Sequence, residues 1–142
     1  MRVLLDLRLG RDLADDAGLS EPDYDVLSTV SERDRPWRLA DLVARLHWKS
    51  SLLSPHLTRM QARGRIRRAG CATDARGCTV SLTAAGRRAL AAAAPGHAES
   101  VRTHLIGLLT PTQVRQLATI SEKVTAHLAE TGGRDPLGDG SD

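Results

Sequence analysis

Apolar residues recur at helical spacing along most of the chain, and the breaks between the repeats divide it into elements. The spacing predicts a first helix over residues 2–17 that ends at Gly18. A second helix should begin at Ser20, with Pro22 in its first turn. We expect Ser20 to act as the N-cap and Asp23 to reach back to it as in a capping box.

The middle of the chain alternates short helical patterns with short strand patterns. Trp37–Leu39 reads as an extended segment, and residues 40–46 read as a helix that ends in a turn. After that turn, the second helix of a two-helix motif should run to about Arg63, because Leu53, Leu57 and Met60 form one apolar stripe. Strands at 66–69 and 79–82 should pair as a hairpin with a polar tip at 72–77. Together these elements predict a helix-turn-helix followed by a β wing.

Pro55 lies in the middle of the second helix of this motif. A proline inside a helix costs about 3 kcal/mol, because it lacks the N–H donor and its ring clashes with the preceding turn. Ser54-Pro55 is also a favourable pair for starting a helix. We therefore expect this helix either to bend at Pro55 or to begin near Ser54.

The C-terminal third of the chain is predicted to be helical. Thr83 should cap a helix that is kinked or divided near Ala94 by Pro95-Gly96, with further helix over 97–109. Thr110 and Gln113 form a capping box for a last helix to about Glu130. The apolar face of this helix consists of Val114, Leu117, Ile120, Val124 and Leu128. Such a face suits either a dimer interface or packing within the chain.

Charge is distributed unevenly along the sequence. Residues 1–32 carry three Arg against eight Asp/Glu, and residues 89–142 carry four Arg/Lys against six Asp/Glu. Residues 33–88 carry 13 Arg/Lys against three Asp, within a total net charge of +3. A basic segment between two acidic flanks is the electrostatic pattern of a protein that binds a polyanion.

Composition excludes several other classes of protein. The 142 residues suit one globular domain, and no run of 18 apolar residues predicts a membrane span. The N-terminus is too charged for a secretory signal, so we expect a cytoplasmic protein. Cys71 and Cys78 match no zinc spacing, no phosphate-binding glycine loop is present, and no cofactor is predicted. His97 and His104 share a helix face, but a metal site there is less favoured than a pocket or surface role.

Four segments, taken in order, resemble the multiple-antibiotic-resistance regulator (MarR) family of winged helix-turn-helix repressors. The wing pattern, Asp74-x-Arg76-Gly77 followed by Ser81-Leu82-Thr83-x-x-Gly86, is the most specific. The segments are LSEPDYDVL at 19–27, LADLVARLHWKSSLLSPHLTRM at 39–60, RGRIRRAGCATDARGCTVSLTAAGRRAL at 63–90 and LTPTQVRQLATI at 109–120.

The resemblance implies a mainly α fold with a small β wing, assembled as a homodimer through its first and last helices. Residues 1–20 would form the N-terminal dimerisation helix, 21–90 the winged DNA-binding lobe and 91–130 the C-terminal dimerisation helices, with a disordered tail at 131–142. It implies a palindromic double-stranded DNA operator, with half-sites about 34–36 Å apart, and release by an aromatic or drug-like small molecule.

Candidate DNA contacts follow from the predicted second helix and the wing. The side chains expected to meet bases or phosphates are Lys49, Ser50, Ser51, Ser54, Thr58, Arg59, Arg63, Arg67 and Arg76. Arg76 at the wing tip suits a narrow minor groove. By resemblance, Asp74 orients an arginine, and Arg68 supports the wing.

Three further hypotheses remain open from the sequence. An effector pocket would be bordered by Tyr24, Trp48, His97, Val101 and His104. Cys71 and Cys78 flank the wing and could form a redox switch, although two inert thiols are the simpler interpretation. Because Pro55 weakens the argument for base reading, the rivals are a cofactor-free enzyme in this pocket and a dimer that sequesters a small molecule or a partner protein.

Overall fold

A computed structural model describes residues 1–70 and 77–131 of the protein. They divide into two compact units, one from Met1 to Val101 and one beginning at Arg102. The architecture is mainly α with one small antiparallel sheet, which confirms the predicted fold class. The elements are α1 Arg2–Ala17, α2 Glu21–Ser31, β1 Trp37–Arg38, α3 Leu39–Leu46, α4 Ser50–Ala62, β2 Ile66–Ala69, β3 Thr79–Leu82, α5 Ala84–His104 and α6 Pro111–Thr131.

The connection between α1 and α2 follows the local signals in the sequence. Gly18 adopts the left-handed conformation, with φ of 61°, and ends α1. Ser20 caps α2 by accepting a hydrogen bond from the backbone N–H of Asp23 at 3.2 Å. The second half of the expected capping box is wrong, because the Asp23 carboxylate does not return to Ser20. It is fully buried and binds arginines from a distant part of the chain.

The three strands form one antiparallel sheet in the order β1-β3-β2. The predicted hairpin of β2 and β3 is confirmed, with Ile66 opposite Leu82. The extended segment predicted at Trp37 is the third strand, and Trp37 lies opposite Val80. The hairpin tip predicted at 72–77 falls mostly on residues 71–76, which lie outside the described residues.

Among the described residues, one hydrophobic core lies beneath the helix-turn-helix and the sheet. Leu27 from α2, Leu42 from α3 and the stripe Leu53, Leu57 and Met60 from α4 are all fully buried in it. The α4 stripe therefore has the role that its spacing predicts. This packing orients α4 with its opposite face towards solvent.

Gly86 allows α5 to start against the backbone that precedes β2. Thr83 caps the helix by accepting from the Gly86 N–H at 2.9 Å, and its hydroxyl also donates to the carbonyl of Gly64 at 2.6 Å. A β-carbon at position 86 would overlap the carbonyl oxygen of Arg65. The glycine in the Thr83-x-x-Gly86 pattern is thus required by a close backbone approach.

Helix α4 begins at Ser50 and runs without interruption through Pro55, so the expectation that it starts near Ser54 is wrong. The missing proline N–H leaves the Ser51 carbonyl without its usual helical donor, but Ser51 is exposed and water can take that place. Burying Leu53, Leu57 and Met60 contributes roughly 1.5–3 kcal/mol for each side chain. Together they outweigh a proline penalty of about 3 kcal/mol.

Helix α5 also continues through its proline, so the expected division near Ala94 is wrong. Ala93 and Ser100, on either side of Pro95, are buried and hold the helix in place across it. The break occurs later, after His104, where a short 3₁₀ turn at Ile106–Leu108 replaces the end of the helix expected over 97–109.

Helix α6 starts at the predicted capping box. Thr110 donates its N–H to Gln113 Oε1 at 2.9 Å, and the Gln113 N–H donates to Thr110 Oγ1 at 3.3 Å. Along its predicted apolar face, Ile120, Val124 and Leu128 are exposed. Of the tail expected at 131–142, Thr131 is the last residue of α6, and residues 132–142 lie outside the described residues.

Candidate nucleic-acid interface

The outer face of α4 is polar and basic at its ends and apolar in between. Ser51, Thr58 and Arg59 are exposed on it, together with Leu52 and Pro55. Lys49 is the N-cap residue and is also exposed. Of the residues predicted to contact DNA, the structure places Lys49, Ser50, Ser51, Thr58, Arg59, Arg63 and Arg67 at the surface and leaves Ser54 half-buried.

A buried carboxylate connects α2 to the end of α4 and to the start of the wing. Arg63 donates from Nη1 and Nη2 to the two oxygens of Asp23, at 3.0 Å each. Arg65 donates from Nη1 to Asp23 Oδ2 at 2.8 Å. Asp23 has no solvent exposure, so these charged hydrogen bonds replace its lost hydration. The cluster positions the basic end of α4 relative to α2.

Arg63 is largely committed to this intramolecular role. Besides its two bonds to Asp23, its Nε donates to the carbonyl of Arg59 at 3.3 Å. All three nitrogens of its guanidinium group therefore have acceptors within the protein. The same side chain is still about half exposed, so its charge contributes to the surface.

His56 of α4 faces α2 and lies against the Asp23 carboxylate. Its Nε2 is 3.1 Å from Asp23 Oδ1, and its Nδ1 is 3.4 Å from Arg59 Nη2. Burial lowers the pKa of His56 below its usual value, the Asp23 charge opposes this, and Arg59 and Arg63 add to it. His56 is consequently neutral at pH 7 and lies between the buried carboxylate and exposed Arg59.

On the wing, Arg67 and Arg68 have different surroundings. Arg67 is exposed, whereas Arg68 is half-buried and donates to Thr58 Oγ1 at 3.1 Å, which connects β2 to α4. Its Nη2 also lies 3.8 Å from Cys78 Sγ, and Cys78 is buried. Cys71, Asp74 and Arg76, for which redox, supporting and minor-groove roles are predicted, lie outside the described residues.

Two grooves flank α4, and both are bordered by His56 and Arg59. The smaller has a volume of about 440 Å³ and is lined by Pro22, His47, Trp48, Lys49, Leu52, His56 and Arg59. The larger, of about 680 Å³, is lined by Ser20, His56, Arg59, Ala62 and Arg63. Trp48 belongs to this region, where its ring meets the edge of His56 at 5.6 Å between centroids.

A second cluster of polar side chains lies between α2 and α5. The rings of Tyr24 and His97 are 4.4 Å apart, so the structure brings together two of the predicted pocket residues. Burial raises the pKa of the neighbouring Asp25, and His97 opposes that change. His97 Nδ1 is shielded from solvent and has no hydrogen-bond partner among the described residues.

Trp48 is separate from the Tyr24–His97 pair, and Val101 and His104 both lie further along α5. Trp48 lines the groove beside α4, whose lining includes neither Tyr24 nor His97. Val101 is half-buried on α5, and His104 is the last residue of that helix and belongs to the second unit. Within residues 1–70 and 77–131, no group of three His, Cys, Asp or Glu side chains could hold a metal ion, and no helix could span a membrane.

Sequence reasoning missed Asp23 and His56 as parts of this interface. The sequence suggests only a local cap for Asp23 and no role for His56, since Asp23 binds arginines far along the chain and His56 lies against Asp23. An acidic residue at the start of a helix usually serves that helix, so no local signal distinguishes this one. Its partners lie 40 and 42 residues away, at Arg63 and Arg65.

Comparison with known proteins identifies close structural relatives. No protein-family model and no curated protein matches the chain. AbsC, a MarR family transcriptional regulator from Streptomyces coelicolor, is 33% identical over 91% of this chain and 87% of its own, with a TM-score of 0.83. Sco3205, a MarR family regulator from the same organism solved in complex with DNA, is 34% identical over 89% and 80%, with a TM-score of 0.82.

A more distant structure shares the fold. CouR from Rhodococcus jostii RHA1, solved bound to p-coumaroyl-CoA, is 20% identical over 87% of this chain and 86% of its own, with a TM-score of 0.72. The two Streptomyces proteins exceed 30% identity over most of both chains, with TM-scores of 0.83 and 0.82. The chain therefore belongs to the MarR family of transcriptional regulators.

Proposed function

We propose that the protein is a DNA-binding repressor that binds a palindromic operator as a homodimer and is released by a small organic effector. The observation that carries this proposal is the outer face of α4. That face is exposed and lies on the second helix of a helix-turn-helix, the helix that enters the major groove in proteins of this class. The DNA complex of the similar regulator Sco3205 supports the same assignment.

The side chains divide by the contact that each can make. Lys49, Arg59 and Arg67 are exposed cations and suit phosphate oxygens, with Arg59 also able to donate to a guanine edge. Ser51 and Thr58 can bond bases or phosphates with little discrimination. Arg63 acts in this proposal as a support, because its nitrogens already bind Asp23 and the Arg59 carbonyl.

The test is binding of the purified protein to DNA from upstream of its own gene, by fluorescence anisotropy at several salt concentrations. Arg59→Ala should weaken binding at least about tenfold and reduce the slope of log affinity against log salt by roughly one. Arg11→Ala removes the same charge from an exposed site on α1 and is the matched control. Equal binding by both variants, or an affinity independent of salt, would contradict the proposal.

The effector site in this proposal is centred on Tyr24 and His97. The tilted ring pair offers an aromatic surface, and His97 Nδ1, which has no hydrogen-bond partner in the part of the chain that the structure describes, offers one buried polar contact beside Asp25. Such a site suits a phenolic or other aromatic molecule with one hydrogen-bonding group. Val101 lies one turn beyond His97 on α5 and, like Trp48 and His104, remains a predicted pocket residue.

A panel of phenolic acids tests the effector site, with release of bound DNA as the measurement. A ligand that releases DNA from the wild type should act at least tenfold more weakly on His97→Ala, because the buried polar contact is lost. Trp48→Ala, which changes the groove beside α4, serves as the control. Release that depends on Trp48 and not on His97 would place the effector beside α4 instead.

Homodimer formation is supported by exposed apolar side chains on both terminal helices. Val3, Leu4 and Leu7 are exposed on α1, and Ile120, Val124 and Leu128 are exposed on α6. Large apolar patches on a protein of this size mark interaction surfaces. The relatives are regulators, which favours regulation over catalysis in the pocket. We place this regulator in the cytoplasm.

A further inference from the structure

The outer face of α4 carries two apolar side chains that the core does not use. Leu52 is 64% exposed, and Pro55 is also exposed three residues later, so both lie on the same side of the helix. The buried stripe of α4 is already complete with Leu53, Leu57 and Met60. Leu52 and Pro55 are therefore free to contact a partner.

The surroundings of this apolar pair indicate a polyanion. Lys49 precedes Leu52 by one turn, and Arg59 follows Pro55 by one turn, both exposed. The α4 sequence SSLLSPHLTRMQA contains no acidic residue. Arg67 is a further exposed cation on β2, the strand that Arg68 connects to α4. Leu52 and Pro55 thus lie between cations on the helix that is proposed to enter DNA. They are therefore part of the proposed DNA-binding surface.

Only one base presents an apolar group in the major groove. The 5-methyl group of thymine projects there, whereas the other major-groove edges offer hydrogen-bond donors and acceptors. We propose that Leu52 and Pro55 read thymine by contact with its 5-methyl group, so that specificity in this regulator rests in part on methyl recognition. This inference depends on the proposed DNA-binding function.

Leu52 and Pro55 suit this contact in different ways. Proline has a rigid ring and loses almost no side-chain entropy when it is buried against a base. Its ring takes the place of the backbone N–H, so the helix lacks one hydrogen bond at this position. Leucine is longer and reaches further from the helix axis. Three residues of α-helix rise about 4.5 Å, close to the roughly 3.4 Å between bases along one strand, so the two side chains can contact thymines at adjacent base steps.

Replacement of thymine by deoxyuridine is the most direct test, since it removes the methyl group and preserves base pairing. A duplex of about 30 base pairs is first selected by the full-length protein from a randomised library. Each thymine is then replaced singly, and symmetrically in both half-sites, and the dissociation constant is measured. At one or two positions per half-site, one lost methyl should weaken binding roughly fourfold, and symmetric replacement by an order of magnitude or more.

Two variants assign the effect to side chains. In Leu52→Ala the thymine and uracil duplexes should bind within about twofold at one position, and Pro55→Ala should behave in the same way at the neighbouring one. Gln61→Ala, exposed on the same helix, should retain the full discrimination. Circular dichroism confirms that each variant is folded.

The outcomes separate this inference from the function on which it rests. Tight, salt-dependent binding with no uracil effect at any position overturns methyl reading and leaves DNA binding intact. A uracil effect that survives in both variants overturns the assignment to Leu52 and Pro55. Failure to select any duplex overturns the DNA-binding function and methyl reading together.

Discussion

Helices α4 and α6 both carry an apolar stripe, but only the stripe of α4 is covered. Leu53, Leu57 and Met60 are fully buried in the core of the first unit, whereas Ile120, Val124 and Leu128 on α6 are each more than half exposed. From Pro111 to Glu130, no residue of α6 is buried. The same kind of pattern in the sequence thus marks an internal core in one helix and an uncovered surface in the other.

The difference indicates how each region is stabilised. The winged lobe has its own core, its own sheet and a buried ion-pair cluster, and it does not need a second chain to bury its apolar stripe. The terminal helix has an exposed apolar face, which the proposed dimer would cover. Changes inside the lobe should therefore reduce the free energy of unfolding, and changes on α6 should act on assembly.

The largest effect is expected from Asp23→Ala. The substitution leaves the arginines of the cluster without their carboxylate, and Arg65 is only 20% exposed. We expect a loss of about 3 kcal/mol in the free energy of unfolding, measured by urea denaturation. Asp15→Ala, which removes an exposed carboxylate from α1, should change it by less than about 0.5 kcal/mol. Similar values for the two variants would show that the buried cluster does not stabilise the lobe.

Gly86→Ala should have the next largest effect and lower the free energy of unfolding by about 2–3 kcal/mol, because the new β-carbon must displace the Arg65 backbone. Gly10→Ala is the matched control. Position 10 lies within α1 and has room for a β-carbon, with Glu21 Oε2 at 3.6 Å as its nearest neighbour. That substitution should be neutral or stabilise by about 0.5–1 kcal/mol. Melting temperatures that move in the same direction would contradict the close approach at Gly86.

Val124→Glu should act on assembly rather than on the lobe. A charge on the exposed stripe of α6 should weaken the proposed dimer at least about thirtyfold, near 2 kcal/mol. Sedimentation equilibrium measures this change, and Glu122→Ala on the same helix is the control. A wild type that is monomeric at micromolar concentration would refute the proposed dimer.

The smallest effect concerns pH. Because the pKa of His56 is lowered in the folded state, the unfolded chain binds a proton that the folded protein excludes. The associated stability is present above pH 6.5 and is lost as pH falls through the folded-state pKa. His56→Gln should flatten this dependence in urea denaturation between pH 7 and 5. Glu21 and Asp25 have raised pKa values, so each changes the free energy of unfolding with pH in the opposite direction to His56. Both residues are present in the wild type and in His56→Gln, so the difference between the two pH profiles reports on His56 alone.

Much of the fold could be predicted from the sequence because its signals are local. Gly18 ends α1, Ser20 caps α2, and Thr110 with Gln113 starts α6, all as expected. Each of these positions depends on contacts within a few residues. The expected helix start near Ser54 and the expected division near Ala94 are wrong for the converse reason, since tertiary packing of the flanking side chains decides whether a helix continues through a proline.

The sequence by itself determined the order of the helices and strands, the basic segment and the likeness to a family of regulators. Only the tertiary structure decided that Asp23 joins Arg63 and Arg65. It alone showed that Leu52 and Pro55 face outward. Local propensity acts over one or two turns of helix, whereas a buried charge takes its partners from wherever the fold brings a cation. Which apolar side chains stay exposed is likewise settled only after the core has been filled.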